Sequence, residues 1–253
     1  MTIEWIGEGT TAKGVVERRF DLERGARTIP GLLWTPEAAQ PSALVLLGHG
    51  GAGDKRQGYI LALARRLVRH HGFAAAAIDG PVHGDRRADP TDVTAAQAEF
   101  WQVWRDDPTM TDEMVADWRA VLDALQAPDA VGATPVGWWG ISMGTILGLP
   151  VVAAEPRISV AVLGLMGIVG PTKERLAADA AAVQCPVLFL VQWDDELFRR
   201  DRAIELFGAI ASTDKRLHVH PGLHSDVPAE EFRASEEFLA RILGSSHDQR
   251  AQS

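Results

Sequence analysis

The chain has 253 residues, 46% of them hydrophobic, and a formal net charge of -9 at pH 7. A chain of this length buries roughly 70–75% of the surface that it exposes when unfolded, so a core can hold it together without disulfides or a structural metal. The negative charge argues against non-specific nucleic-acid binding, which needs clustered Lys and Arg, and against docking on anionic membranes.

In chain order, the hydrophobic pattern predicts two β segments and then alternating strands and helices. The β segments are predicted at residues 15–22 and 28–34, with a turn at Arg24-Gly25 between them. Further strands are predicted at residues 43–47, 73–78, 135–139, 158–165, 186–193 and 217–220. Helices are predicted at residues 59–70, 142–154, 173–182, 202–211 and 229–243, with two more, broken near Pro108, between about 91 and 125.

This alternation implies an α/β protein with a mostly parallel sheet and helices on both faces. We predict a single domain over residues 1–244 and a flexible polar tail over residues 245–253. Within the domain, residues 88–118 are predicted to form a small helical insertion that either covers the site or packs on the sheet like the other helices. Ligands of such sheets bind beyond the carboxyl ends of the strands, so the functional groups are expected in the loops there.

The loop after residue 139 carries the candidate nucleophile. Residues 140–144 read G-x-S-x-G between an apolar strand and an apolar helix. A serine on a sharp strand-to-helix turn needs flanking residues without bulk, and the turn lifts its hydroxyl clear of the sheet. We predict that Ser142 is a nucleophile and that the Met143 amide faces the developing oxyanion. A plain helix cap by Ser142 is the simpler alternative.

A serine nucleophile needs a base, and the base needs an acid that orients it. In this arrangement the acid and then the histidine follow the serine along the chain. The strand at residues 186–193 ends in two candidate acids, of which Asp195 is preferred to Asp194 because it lies further into the loop. His224, in a glycine-containing loop before the last helix, is the candidate base.

The loop after residue 47 is rich in glycine and allows two interpretations. Its backbone could turn an amide toward a substrate oxygen, with Gly51 the preferred donor and Ala52 the alternative. Residues 48–53 also read G-x-G-x-x-G, and the next strand ends in Asp79, as in a dinucleotide-binding loop. A nicotinamide-dependent oxidoreductase is therefore the rival prediction, although it leaves Ser142 without a role.

Five motifs resemble those of α/β-hydrolases, near the dienelactone-hydrolase-like and prolyl-oligopeptidase-like esterase branch. They lie at residues 49–51, 79–86, 140–144, 194–196 and 222–224. The resemblance covers about residues 15–243 and implies an eight-stranded sheet and cofactor-free hydrolysis of esters, lactones or related acyl bonds. It carries the catalytic triad onto Ser142, Asp195 and His224, and the oxyanion hole onto Gly51 and Met143. Dienelactone hydrolases proper carry Cys where Ser142 stands.

Large apolar side chains are expected to line the substrate pocket. The candidates are Trp101, Trp104, Met166 and Trp193. No metal is predicted, because the pair His218 and His220 alone does not make a metal-binding motif.

The first eight residues lack the basic and apolar regions of a signal peptide, which predicts a cytoplasmic protein. We expect a monomer or homodimer that acts on a small-molecule ester or lactone. A hydrolase fold that binds ligand without catalysis stays a further alternative.

Overall fold

The computed structural model describes the backbone of residues 2–251 and the side chains of residues 2–244. The described residues form one nine-stranded sheet in the order β1-β2-β3-β5-β4-β6-β7-β8-β9. The strands are β1 (Ile3–Ala12), β2 (Val15–Arg24), β3 (Arg27–Pro36), β4 (Leu44–Gly48), β5 (Ala74–Ile78), β6 (Val136–Gly140), β7 (Ile158–Gly164), β8 (Val187–Gln192) and β9 (Lys215–His220).

Seven α-helices are described, and one 3₁₀ turn lies at Gly84–Arg86. The helices are α1 (Gly58–His71), α2 (Val93–Asp106), α3 (Met110–Leu125), α4 (Met143–Ala154), α5 (Lys173–Ala182), α6 (Arg200–Ala209) and α7 (Ala229–Ala251). Helix α7 thus extends over most of the predicted tail, whose residues 252–253 lie outside the described residues. Among the described residues, no helix has the length and apolar character needed to cross a bilayer.

The strand directions confirm the predicted α/β class with a mostly parallel sheet. Strands β4 to β9 are parallel to one another, whereas β1, β2 and β3 form an antiparallel edge that joins the sheet at β5. Central strands β4, β5 and β6 are buried at every position, as their continuous apolar sequences require. The sheet divides the hydrophobic core into two layers. Helices α1 and α7 pack on one face of the sheet, and helices α3 to α6 pack on the other.

The predicted number of eight strands was wrong, because residues 3–12 add an edge strand in the described chain. Strand β1 is exposed or half-buried throughout, and its pairing with β2 is interrupted between Ile6 and Thr10. An edge strand with little buried surface carries no clear alternation of polar and apolar residues. The hydrophobic pattern therefore could not reveal it.

Candidate active site

The turn between β6 and α4 holds Ser142 in a strained backbone conformation, with φ 57° and ψ -121°. The flanking glycines make this turn possible. A Cβ on Gly140 would lie 2.7 Å from the carbonyl oxygen of Gly144, and one on Gly144 would lie 2.4 Å from the carbonyl oxygen of Gly48. The G-x-S-x-G pattern therefore reflects close backbone packing, as the sequence predicts.

Thr145 fixes this turn from within the core. Its buried hydroxyl oxygen accepts a hydrogen bond from the Gly164 amide at 2.8 Å and lies 2.9 Å from the Gly140 carbonyl oxygen. The Ser142 amide also donates to the Gly164 carbonyl oxygen at 3.0 Å. The end of β7 thus anchors the serine turn, a contact between distant residues that no sequence motif indicates.

The structure brings Ser142, His224 and Asp195 into one hydrogen-bonded chain. His224 Nε2 lies 2.9 Å from Ser142 Oγ, and His224 Nδ1 lies 2.8 Å from Asp195 Oδ2. The Asp195 side chain is 3% exposed and that of His224 is 12% exposed. If Nδ1 carries the proton that bonds Asp195, then Nε2 is free to accept the serine proton.

The preferred acid is held by its own loop. Asp195 Oδ1 accepts hydrogen bonds from the amides of Leu197 at 2.8 Å and Phe198 at 2.7 Å, which leaves Oδ2 for the histidine. The alternative acid, Asp194, does not contact His224. Its Oδ2 lies 3.4 Å from the amide nitrogen of Gly222.

Two polar side chains that the sequence analysis did not assign hold the histidine loop. Glu196 accepts a hydrogen bond from the backbone amide of His224 at 2.8 Å. Gln192, which is buried, donates from Nε2 to the Leu223 carbonyl oxygen at 3.1 Å. Gln192 ends β8 and Glu196 lies in the loop that follows it, so the segment that carries Asp195 also holds the loop of His224.

The two residues that carry the candidate oxyanion donors lie close together at the carboxyl edge of the sheet. A Cβ placed on Gly51 would lie 3.9 Å from the Cβ of Met143. The hydrogen bonds of the described residues leave both of these amides without an acceptor. The neighbouring Gly50 amide is occupied, because it donates to the phenol oxygen of Tyr59 at 2.7 Å. Burial raises the pKa of Tyr59 well above its ordinary value, although the Gly50 amide opposes the shift.

Two buried histidines, His49 and His83, contact the backbone of the Gly48–Gly53 region at hydrogen-bond distances. His49 Nδ1 lies 2.8 Å from the Gly50 carbonyl oxygen, and His49 Nε2 accepts from the Gly80 amide at 2.8 Å. His83 Nε2 lies 3.0 Å from the Gly51 carbonyl oxygen. These contacts join the loops after β4 and β5.

The structure does not support the dinucleotide-binding interpretation of residues 48–53. Helix α1 begins at Gly58, so Gly53 lies outside the helix start that the fingerprint requires. Asp79, the candidate ribose ligand, is fully buried and accepts hydrogen bonds from the Lys55 ammonium group and the Asp85 amide. Its carboxylate therefore already bonds to buried groups of the protein and is not available to bind a ribose.

That network places Lys55 in a fully buried position, where it also pairs with Asp85 at 2.8 Å. Burial alone would raise the pKa of Asp85, but the hydrogen bonds from Arg56 and Lys55 outweigh it and lower the pKa below its ordinary value. The carboxylate of Asp85 is therefore ionised at neutral pH, and it compensates part of the buried charge of Lys55.

A cavity of about 280 Å³ opens beside Ser142 and His224. Trp101 lines it, as predicted, together with apolar side chains that the sequence analysis did not name: Phe100, Ile146, Leu165, Leu197, Val227 and Phe232. These residues come from five separate segments. Only the fold brings them together, so no local pattern could have identified them.

Three predicted pocket residues lie elsewhere. Trp104 is buried in the core with its Nε1 donating to Thr172 Oγ1 at 2.9 Å, and Met166 is fully buried in the core. Trp193 is 48% exposed and its ring is covered by Arg200, whose guanidinium carbon lies 4.3 Å from the ring centroid. Position at a strand end was therefore not sufficient to place these side chains in the cavity.

Comparison with known proteins gives a family. The profile of the dienelactone hydrolase family matches residues 29–229. The chain belongs to the dienelactone hydrolase family. An esterase from an Arctic intertidal metagenomic library, solved bound to PEG, is 44% identical over 95% of this chain and 99% of its own, with a TM-score of 0.85. These matches confirm the predicted α/β-hydrolase fold and the predicted branch.

Two further matches say less about the function of this chain, one because its identity is low and the other because it is short. The dienelactone hydrolase of Anabaena variabilis ATCC 29413 shares 17% identity over 90% of this chain and 97% of its own, with a TM-score of 0.66, and shows the fold alone. The uncharacterized protein YnbC of Escherichia coli K12 is 34% identical over 76 residues. That match spans 28% of this chain and 13% of YnbC.

Proposed function

We propose that this protein is a serine esterase that hydrolyses small carboxylic esters or lactones through an acyl-Ser142 intermediate. The observation that carries the proposal is the continuous hydrogen-bonded chain Asp195–His224–Ser142 at the edge of an apolar cavity. The dienelactone hydrolase family and the esterase that is 44% identical support ester bonds as the class of bond cleaved.

The proposed reaction begins when His224 Nε2 takes the proton of Ser142 as its oxygen attacks the substrate carbonyl. The amides of Gly51 and Met143 stabilise the resulting oxyanion, and loss of one such donor typically costs about 3–4 kcal/mol. His224 then protonates the leaving alcohol, and water attacks the acyl-serine by the reverse path. Asp195 holds the imidazole in the required tautomer throughout.

The cavity favours substrates with a small apolar acyl group. Its volume of about 280 Å³ is slightly below that of typical ligand pockets, which span about 300–1,000 Å³. Aromatic walls from Phe100, Trp101 and Phe232 exclude water from the acyl group. We therefore expect acetate and butyrate esters to be cleaved faster than long-chain esters.

Replacement of Ser142 by Ala tests the proposal, with Ser225→Ala as the matched control because Ser225 lines the same cavity. We expect wild type and Ser225→Ala to hydrolyse p-nitrophenyl acetate and to be labelled by a fluorophosphonate probe at one serine. Ser142→Ala should lose the label and about six orders of magnitude in kcat.

Unchanged turnover by Ser142→Ala would refute the proposal. If folded wild-type protein shows neither label nor turnover on an ester and lactone panel, a binding protein with a hydrolase fold is the better description. Fluorescence titration with NADH tests the oxidoreductase alternative in the same samples.

A further inference from the structure

Three ionisable side chains meet outside the cavity, between β9 and the first turn of α7. His218 Nδ1 lies 3.0 Å from both carboxylate oxygens of Glu231, and His220 Nε2 lies 2.6 Å from Glu231 Oε2. The ligand atoms of the three side chains all lie within 4.8 Å of one another. Neither histidine has a part in the proposed esterase reaction.

The positions of His218, His220 and Glu231 in β9 and α7 bring the three side chains together. Residues two apart on a strand point to the same face, so His218 and His220 are neighbours on β9. Glu231 comes from the first turn of α7, and its carboxylate reaches both imidazoles. The Glu231 side chain is 2% exposed, whereas His218 and His220 are 38% and 24% exposed. The carboxylate is thus shielded, while solvent still reaches the imidazoles.

No Lys or Arg among the described side chains forms an ion pair with Glu231. Arg216, the next residue on the same face of β9, is directed elsewhere, with its guanidinium carbon 5.4 Å from the Phe238 ring centroid and its Nε 3.8 Å from Asp214. A buried carboxylate is costly without compensating charge. Within residues 2–244, the hydrogen bonds and ion pairs of this carboxylate are those with the two imidazoles.

A second cluster of similar composition provides a contrast. His70 and His71 contact Glu236, but Arg66 Nε also donates to that carboxylate at 2.5 Å. The guanidinium already supplies positive charge at this position and would repel a cation. The two clusters therefore differ in the property that matters for metal binding.

We propose that His218, His220 and Glu231 form a zinc site. Two neutral imidazole nitrogens and one carboxylate oxygen are a ligand set that Zn²⁺ accepts, with water in the fourth tetrahedral position. The ion would replace the imidazole protons that now face the carboxylate. Tetrahedral ligands about 2.0–2.2 Å from zinc lie about 3.3–3.6 Å from one another. The carboxylate oxygens, now 3.0 Å from His218 Nδ1 and 2.6 Å from His220 Nε2, must therefore move away from the imidazoles by about 0.3–1.0 Å.

The site would act on stability and on the His224 loop. It would cross-link β9 to α7 across residues 221–228, the loop that carries His224. Zinc at 100 times its dissociation constant should raise Tm on the order of 5–10 °C for a chain of this size.

The test is a zinc titration of chelator-treated protein, followed by calorimetry and thermal unfolding. Wild type should bind one tight equivalent of ZnCl₂ with the stated rise in Tm. Glu231→Gln and His218→Gln should each lose more than about 100-fold in affinity and most of the rise. The matched control, His70→Gln with His71→Gln, should keep both.

His224 and Asp195 are another potential zinc site, so His224→Gln is included and should also keep the rise in Tm. Circular dichroism checks the fold of each variant without zinc. The proposal is wrong if wild type shows no tight zinc binding, if Glu231→Gln and His218→Gln keep it, or if the effect disappears in His224→Gln or in the His70/His71 control. Cobalt absorption bands typical of tetrahedral coordination, present in wild type and absent from Glu231→Gln, would support it independently.

Discussion

Protonation of His49 should destabilise the protein in mild acid. The side chain is 2% exposed, and its Nε2 accepts a hydrogen bond from the Gly80 amide, so a proton on this atom would face another N–H group. Burial lowers the pKa of His49 from its ordinary value of 6.5 to about 4, the nearby His83 adds to the effect, and Asp79 opposes it. The folded state therefore keeps His49 neutral.

The sign follows from which state binds the proton. Between pH 6.5 and about 4 the unfolded chain binds a proton at His49 and the folded chain does not, so stability falls as the pH falls through this window. Each pH unit is worth about 1.4 kcal/mol, which gives a loss of about 3 kcal/mol between pH 7 and pH 4. This is a large part of a typical stability of about 5–15 kcal/mol.

The assay is urea unfolding at several pH values from 7 to 4, followed by tryptophan fluorescence, for wild type and His49→Gln. The variant loses some stability at pH 7 but has no group at position 49 that titrates in this window. All other ionisable groups are shared, so the difference between the two pH profiles isolates His49. If the two profiles are parallel, the assignment of a neutral, acid-sensitive His49 is refuted.

Three further predictions concern groups in and below the site. Lys55→Met should lower the free energy of unfolding by about 3–5 kcal/mol, because it leaves the buried Asp79 carboxylate without its ammonium partner; urea unfolding at pH 7 measures this. Asp195→Asn should lower kcat for p-nitrophenyl acetate by about 10⁴-fold with normal thermal unfolding, because the amide favours the wrong tautomer, and a loss below tenfold would contradict the role. His83→Leu should lower kcat by about 10- to 100-fold with little change in KM, because the Gly51 carbonyl loses its contact with the imidazole and the Gly51 amide is held less precisely. A kcat within twofold of wild type in steady-state kinetics would show that His83 does not position Gly51.

The sequence predicted those parts of the site that depend on local chain geometry. The turn at Ser142 requires small neighbours and a following helix, and this requirement appears as a motif. The loops with Asp195 and His224 could be ordered along the chain because each follows a strand of the parallel sheet. Glu196 and Gln192 show the limit, since their partners lie 28 and 31 residues away and no spacing rule links them.

The predictions of pocket residues were less accurate, because the pocket also depends on contacts between distant segments. Trp193 follows β8 and was expected in the cavity, but its ring lies under Arg200 on the surface. Leu165 and Phe232 line the cavity without any distinguishing sequence feature. An apolar side chain near a strand end is equally compatible with core, cavity or surface, and only the packing of distant segments decides among them.

Backbone strain gives a signal for function that the sequence does not display. Among the described residues, four non-glycine residues have positive φ, and three of them, Val82, Ser142 and Leu165, lie in loops at the carboxyl edge of the sheet, around the candidate site. Each such conformation costs on the order of 1–3 kcal/mol, and bulky side chains disfavour it most. Local propensity would never choose Val or Leu there, so long-range packing must impose these conformations. The stability of the buried sheet therefore sustains the strained edge that places Ser142 at the wall of the cavity.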